Sequence, residues 1–176
     1  MVDITEVIAH QHEEQRRLFS YLEQWPADDT EGLGAVWRRL AILLEIHADA
    51  EEQHFFPVVL EHGVGQADAE GIDEEVVDAL GDHNEIRDAI RKADAEKVGT
   101  SAWWEAVTAC NVANSNHMGE EERQDLTELR RRVSLQQRHD IAVAFLRQEA
   151  LHAAEGVPVE DVVPEEYVER GGPDQH

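Results

Sequence analysis

Apolar residues recur every three or four positions along most of the chain, the spacing that places them on one face of an α-helix. Residues 58–157 contain no proline, so helices can run through this whole stretch. The pattern therefore predicts an all-α protein.

Four long helices are predicted, joined by turns into an up-down antiparallel four-helix bundle. Their predicted ranges, with a loop over 27–34 between the first two, are residues 4–24, 35–61, 72 or 73 to 99, and 101 to about 133.

The ends of these helices carry recognisable signals. Asp3 or Thr5 is expected near the cap of the first helix, and Ser101 at the cap of the fourth. The glycines in region 63–65 should end the second helix, and Pro57 should kink it shortly before that end. Each boundary therefore has a residue that explains it.

After the bundle, residues 135–155 predict a fifth amphipathic helix that docks on the bundle or on a second subunit. Pro158, Pro164 and the Gly171-Gly172-Pro173 end disfavour helix, so the tail is expected to be an extended strap or partly disordered. We therefore divide the chain into a four-helix bundle, 1–133, and a C-terminal helix and tail packed on the bundle or partly disordered, 134–176.

An internal repeat supplies the candidate chemistry. Twice, a histidine is followed 34 or 35 residues later by a second histidine, and four residues after that by a Glu-Glu doublet. The two sets are His12, His47 and Glu51-Glu52, and His83, His117 and Glu121-Glu122. The chain thus predicts two related helix pairs that present the same side chains.

The spacing within each half places these side chains together. A histidine and a glutamate four residues apart on a helix differ by about 40° in direction and about 6 Å in height. Counting residues from each turn brings the four helices to one level, where an ionised glutamate would need a positive partner. The predicted metal ligands are His12, His47, Glu51, His83, His117 and Glu121.

Other polar residues near this level are expected to be peripheral. His10 lies about 200° around the helix from His12, so His10 and Glu14 are predicted to be a solvated pair. Glu52 and Glu122 are rotated by about 100° from the ligand face and are expected to meet solvent or a salt bridge.

The composition limits the partners. The chain has 39 acidic and 15 basic residues, a net charge of −24 and a pI near 4.6, which argues against nucleic acid and membrane surfaces. No apolar run approaches a membrane span, and the amino terminus lacks the pattern of a secretory leader. The single cysteine, Cys110, excludes an internal disulfide and is interpreted as a small core residue. We therefore expect a cytoplasmic protein, as a monomer or a homodimer.

Four segments, HQHEEQRRLFSYL, HADAEEQHFFP, DHNEIRDAI and HMGEEERQDL, resemble the hemerythrin-like family of HHE cation-binding domains over about residues 4–132. The resemblance implies a four-helix bundle with a non-heme diiron centre, and its ligands fall on the same six residues. The C-terminal helix also looks like extensions found in bacterial members. Oxygen carriers of the family have a further histidine where this chain has Arg87, and an aspartate often stands at the place of Gln11, so a carrier function is not favoured.

Imidazole and carboxylate donors without thiolate suit iron, manganese or zinc. The expected cofactor is two iron ions with an oxo or hydroxo bridge, each with one open position. The expected function is binding of, or reaction with, O2, hydrogen peroxide or nitric oxide, with catalase-like peroxide decomposition as the candidate activity. The alternative is a non-enzymatic iron or oxygen binder or redox sensor.

A third class, the ferritin-like carboxylate enzymes, uses Glu-x-x-His motifs on two helices. Residues 51–54 and 149–152 fit that motif, but the second lies outside the repeat, so this class is the least favoured.

Overall fold

A computed structural model gives the fold of residues 1–62, 69–156 and 161–173. This described part of the chain contains eight helices and no strand, which confirms the all-α prediction. The helices are α1 Ile4–Gln24, α2 Thr30–His54, α3 Phe56–His62, α4 Ala69–Ala95, α5 Ser101–Arg123, α6 Asp125–Arg132, α7 Leu135–Glu155 and α8 Pro164–Arg170.

Helix α1 has the predicted bounds, and Asp3 caps it by accepting a hydrogen bond from the Thr5 N–H at 3.0 Å. Helix α2 begins at Thr30, so the predicted loop over 27–34 is confirmed for residues 27–29 but extends too far. Asp29 accepts from the Gly32 N–H and from the Trp25 indole N–H, both at 2.9 Å. A Cβ at Gly32 would lie 2.3 Å from the Asp29 carboxylate, so this cap has no room for a side chain at residue 32.

The long second helix predicted over 35–61 is divided at Phe55, just before the expected kink. Pro57 has no N–H, and its ring crowds the carbonyl four residues earlier. The Phe55 N–H still donates to the Glu51 carbonyl at 2.9 Å, and α3 then starts at Phe56. The glycines in region 63–65, predicted to end this helix, lie outside the described residues.

The second half shows three further corrections. Helix α4 begins at Ala69 and ends at Ala95, and Gly99, at φ +82°, lies in the turn that follows. Thr100, not Ser101, caps α5 by accepting from the Trp103 N–H at 3.3 Å. The predicted single helix 101–133 is interrupted at Gln124, where no proline or glycine gave a sequence signal.

The bundle of α1, α2, α4 and α5 has two apolar clusters, with a polar level between them. Helix α1 contributes Ile4 and Ile8 to one cluster and Leu18 and Leu22 to the other, and His12 lies between. Each fully buried Leu or Ile stabilises the fold by about 1.5–3 kcal/mol. The polar level is therefore enclosed by well-packed core on both sides.

The C-terminal helices pack on the bundle. Helix α7 has the predicted bounds and lies against α1 and α2, with Phe145 fully buried. The tail prediction missed α8, which packs on α4 and starts with Pro164. Proline suits the first position of a helix, because its missing N–H would be unpaired there anyway. The hydroxyl of Tyr167 on α8 donates to the Glu52 carbonyl.

No helix in the described ranges combines the length and the apolar character needed to cross a membrane.

Candidate metal centre

The structure brings the six predicted side chains together inside the bundle. Helix α1 supplies one, α2 two, α4 one and α5 two, and each is at most 3% exposed: His12, His47, Glu51, His83, His117 and Glu121.

The donor atoms form two groups that share Glu51. His12, His47, Glu51 and Glu121 offer atoms that all lie within 4.8 Å of one another, and Glu51, His83 and His117 form the second group on the same criterion. One carboxylate oxygen of Glu51 is 2.9 Å from His47 Nε2, and the other is 3.2 Å from His83 Nε2. Glu51 is therefore placed to serve two cations at once.

Each histidine turns its Nδ1 outward to an oxygen atom and its Nε2 inward. The outward pairs are His12 with Glu122 at 2.9 Å, His47 with Gln11 at 2.5 Å, His83 with Glu52 at 2.8 Å and His117 with Asp82 at 3.9 Å. An oxygen at Nδ1 favours the tautomer with its proton there, which leaves the Nε2 lone pair for a metal. The Nε2 atoms of all four imidazoles therefore face the same interior space.

The sequence predicted the roles of Glu52 and Glu122 only in part. Glu52 is 4% exposed and forms the salt bridge that was one of the two expectations, with Arg87 at 2.8 Å, but it also accepts from His83 at 2.8 Å, which was not predicted. Glu122 does form a salt bridge, with Arg16 at 2.9 Å, but the same oxygen also faces His12. The repeated Glu-Glu doublet was the available signal, because both members recur with the histidines.

The pairing crosses between the two halves of the repeat. Glu52 on α2 holds His83 on α4, and Glu122 on α5 holds His12 on α1. A rotation of about 100° from the ligand face therefore brings the carboxylate to the histidine of a neighbouring helix.

The inner atoms lack partners of their own. Among the described residues, neither oxygen of Glu51 or Glu121 has a hydrogen-bond partner, and neither does Nε2 of His12 or His47. Buried polar atoms are rarely left so, because each loses its hydration without compensation. A cation in this space would satisfy nitrogen and oxygen lone pairs together, so the donor set fits a metal.

The pKa values of Glu121 and Glu51 are shifted in opposite directions. Burial and the neighbouring Glu51 charge raise the pKa of Glu121 well above its usual range. Burial opposes ionisation of Glu51 too, but the charge of His47 and the close imidazoles of His117 and His83 hold the pKa of Glu51 well below its usual range. Only one of the two carboxylates is readily ionised while no cation is bound.

Aromatic rings close one side of the centre. The Phe145 ring centroid lies 6.0 Å from that of His47, and the Phe56 centroid lies 5.6 Å from that of His83. On another side His117 and Glu121 form part of the wall of a cavity of about 320 Å³. The centre is therefore covered by aromatic rings on one side and adjoins a cavity on another.

The remaining candidates stay outside the centre. His10 is exposed, but Glu14 pairs with Arg17 and Arg39 and not with His10, so the predicted His10–Glu14 pair is not formed. Arg87, buried at the place of the carriers' extra histidine, directs its guanidinium to Glu52.

The ferritin-like alternative finds no support in this geometry. Glu149 accepts from Gln11 at 2.8 Å, and His152 lies 3.2 Å from an oxygen of Asp49. Neither belongs to the two donor groups.

Four helices that each direct histidine, or histidine and glutamate, into a common buried space define a cation-binding helical bundle. The family model of the hemerythrin HHE cation-binding domain matches residues 3–129, and the chain belongs to this family. No curated protein and no solved structure matches the chain.

Substitution of Glu52 by glutamine should weaken both the metal site and the fold. It removes the charge that faces His83 and Arg87, and leaves a buried guanidinium without its ion pair. We expect about 10- to 100-fold weaker metal binding and about 3 kcal/mol lower stability of the metal-free protein. Competition with a chelator and urea unfolding measure the two effects.

Glu122→Gln is the matched control, since Glu122 faces His12 in the same way but is 34% exposed at its side chain. It should weaken metal binding with little change in the urea midpoint. Equal loss of stability in both variants would contradict the role given to the Glu52–Arg87 pair.

Proposed function

We propose that this protein is a non-heme diiron protein that reacts with O2, hydrogen peroxide or nitric oxide, with decomposition of hydrogen peroxide as its candidate activity. The observation that carries the proposal is the position of Glu51 between two donor groups, with one oxygen directed to each. A site for a single ion would not need a carboxylate shared in this way.

The donor set favours iron over a structural metal. It combines imidazole nitrogen with carboxylate oxygen and contains no thiolate. Cys110 is buried in an apolar cluster, where burial raises the pKa of its thiol to about 12, so it offers no thiolate. Iron held by such ligands supplies electron transfer to and from small oxygen and nitrogen species.

The side chains around the centre have separate roles in this proposal. Glu52, Glu122 and Gln11 orient imidazoles through their Nδ1 atoms. Phe56 and Phe145 exclude water from one side, while the cavity at His117 admits a small molecule from another. Decomposition of peroxide converts two H2O2 to two H2O and one O2, so it needs no further reductant.

A second candidate is a binder or sensor without turnover. The observation that favours it is the docking of the tail on the residues behind His83: Tyr167 donates to the Glu52 carbonyl, and the Asn84 amide donates to the Val162 carbonyl at 2.8 Å. A change at the centre could reach the tail through these contacts.

Metal analysis and peroxide assays test the proposal. We expect two irons per chain after reconstitution with Fe(II) without oxygen, and O2 release from hydrogen peroxide at an oxygen electrode. Stopped-flow mixing of the reduced protein with O2 should show oxidation without a long-lived oxygenated form. The Glu14→Gln variant serves as control, because Glu14 belongs to a surface ion pair. A stable, reversible oxygenated spectrum without O2 release from peroxide would favour the binder or sensor, and absence of iron would contradict both.

A further inference from the structure

The cavity beside the metal centre lies between α4 and the junction of α5 with α6. His117 and Glu121 form its inner wall, and its volume of about 320 Å³ accommodates several water molecules. It therefore connects the ligands of the centre with the surface of the bundle.

The walls of this cavity are strongly acidic and graded in depth. No lysine or arginine is among the described residues that line it. Its carboxylates run from the exposed mouth to the partly buried middle and the buried end, in the order Glu74, Asp78, Glu120, Glu75, Asp82, Asp125 and Glu121.

Asp125 at the inner end is the feature that points to a ligand. It is 4% exposed, and within the described part of the chain its Oδ1 has no hydrogen-bond partner. Burial, the charges of Glu121 and Glu75, and a hydrogen bond shared with Glu75 raise the pKa of Asp125 well above its usual range. Such a carboxylate is costly in a folded protein unless a cation or a proton joins it.

We propose that this cavity is the uptake route of the metal centre, and that the carboxylates lining it, with Asp125 at the buried end, hold a divalent cation transiently through its water molecules. The inference rests on the proposed metal centre and adds the path by which its ions arrive.

Donor chemistry gives the route its direction. A few carboxylate oxygens can hold a hydrated divalent cation while leaving part of its water in place. The imidazoles at the inner wall, beginning with His117, add nitrogen ligands that bind transition metals more tightly. A cation therefore gains affinity at each step inward, while the acidic mouth raises its local concentration.

The rate of metal uptake tests the route. Full-length protein freed of metal with a chelator is mixed with Co(II) in a stopped-flow instrument, and the visible absorption of bound Co(II) reports binding independently of activity. For Glu75→Gln/Asp125→Asn we expect uptake at least about ten-fold slower than in the wild type, with a weaker dependence on ionic strength. Final occupancy should be unchanged.

Two further double variants serve as comparisons for the uptake rate. Glu74→Gln/Asp78→Asn changes only exposed residues at the mouth, so it keeps the core intact, and should slow uptake to a smaller degree. Glu31→Gln/Glu105→Gln removes the same charge from exposed positions near the starts of α2 and α5, and should load at the wild-type rate.

Wild-type uptake rates and salt dependence in both cavity variants would overturn the inference and leave a water-filled cavity. Failure of the wild type itself to bind Co(II) would overturn the metal centre and this inference together, so the two failures are distinguishable.

Discussion

Replacing Glu51 with glutamine is expected to empty both halves of the centre. Its two oxygens lie 2.9 Å from His47 and 3.2 Å from His83, and it is the one residue common to both donor groups. Glutamine keeps the shape but removes the charge and offers only one good donor oxygen. We expect bound metal to fall from two ions per chain to nearly none, measured by elemental analysis after reconstitution and gel filtration.

Glu121→Gln provides a graded comparison. Glu121 belongs to the first donor group only, so its loss should remove the ion near His12 and His47 more completely than the ion near His83. Glu14→Gln, which alters a surface carboxylate on α1, should retain both ions. Equal, full loading of the Glu51 variant would contradict the shared-carboxylate arrangement.

Removal of the metal should leave a protein whose stability falls as the pH rises. Burial and nearby carboxylates raise the pKa values of Glu121 and Asp125 in the folded state. The folded chain then binds more protons than the unfolded chain above the ordinary carboxyl range near pH 4.5, so ionisation favours unfolding. Each such group lowers the free energy of unfolding by up to about 1.4 kcal/mol per pH unit until its folded pKa is passed.

Bound metal should reverse this trend, because it binds the carboxylates in their ionised form. Free metal at 1,000 times its Kd stabilises a protein by about 4 kcal/mol, which for this chain length corresponds to a rise of about 10 °C in Tm. We expect that rise to be larger at pH 8 than at pH 5.5, measured by calorimetry with and without chelator.

The contribution of Glu121 can be separated from that of His12. Burial lowers the pKa of His12, so its deprotonation makes the folded state more stable as the pH rises toward about 6.5, opposite to the effect of the carboxylates. The variant Glu121→Gln separates the effects, because it removes the Glu121 contribution to the pH slope. A metal-free wild type with the same slope as this variant between pH 5.5 and pH 8 would show that Glu121 is not the source.

The six candidate ligands were predictable because the repeat and the helical period act together. Residues at positions such as His47 and Glu51 must share a face, and equal distances from the turns must bring the helices to one level. The bounds of α1 and α7 were equally accessible, since each has a capping side chain at its start.

The start of α2, the role of Glu52 and the presence of α8 could not be predicted, because they depend on contacts between separate parts of the chain. The early start of α2 is set by Asp29, which caps the helix at Gly32 and accepts from the Trp25 indole, a contact that the hydrophobic pattern does not report. The role of Glu52 depends on the distance between α2 and α4, which no periodicity reports. The helix α8 needs the packing of Tyr167 on the bundle, because seven residues are too few to form a stable helix alone.

The contact between Tyr167 and Glu52 couples docking of the tail to metal binding at the centre. Glu52 is held at its carbonyl by α8 and at its carboxylate by His83, so docking of the tail and ligation at His83 involve the same residue. Coupling free energies are reciprocal. If docking of the tail raises the affinity of the centre for metal, bound metal strengthens docking of the tail by the same free energy. Amide hydrogen exchange in α8 would therefore report the occupancy of a centre that α8 does not touch.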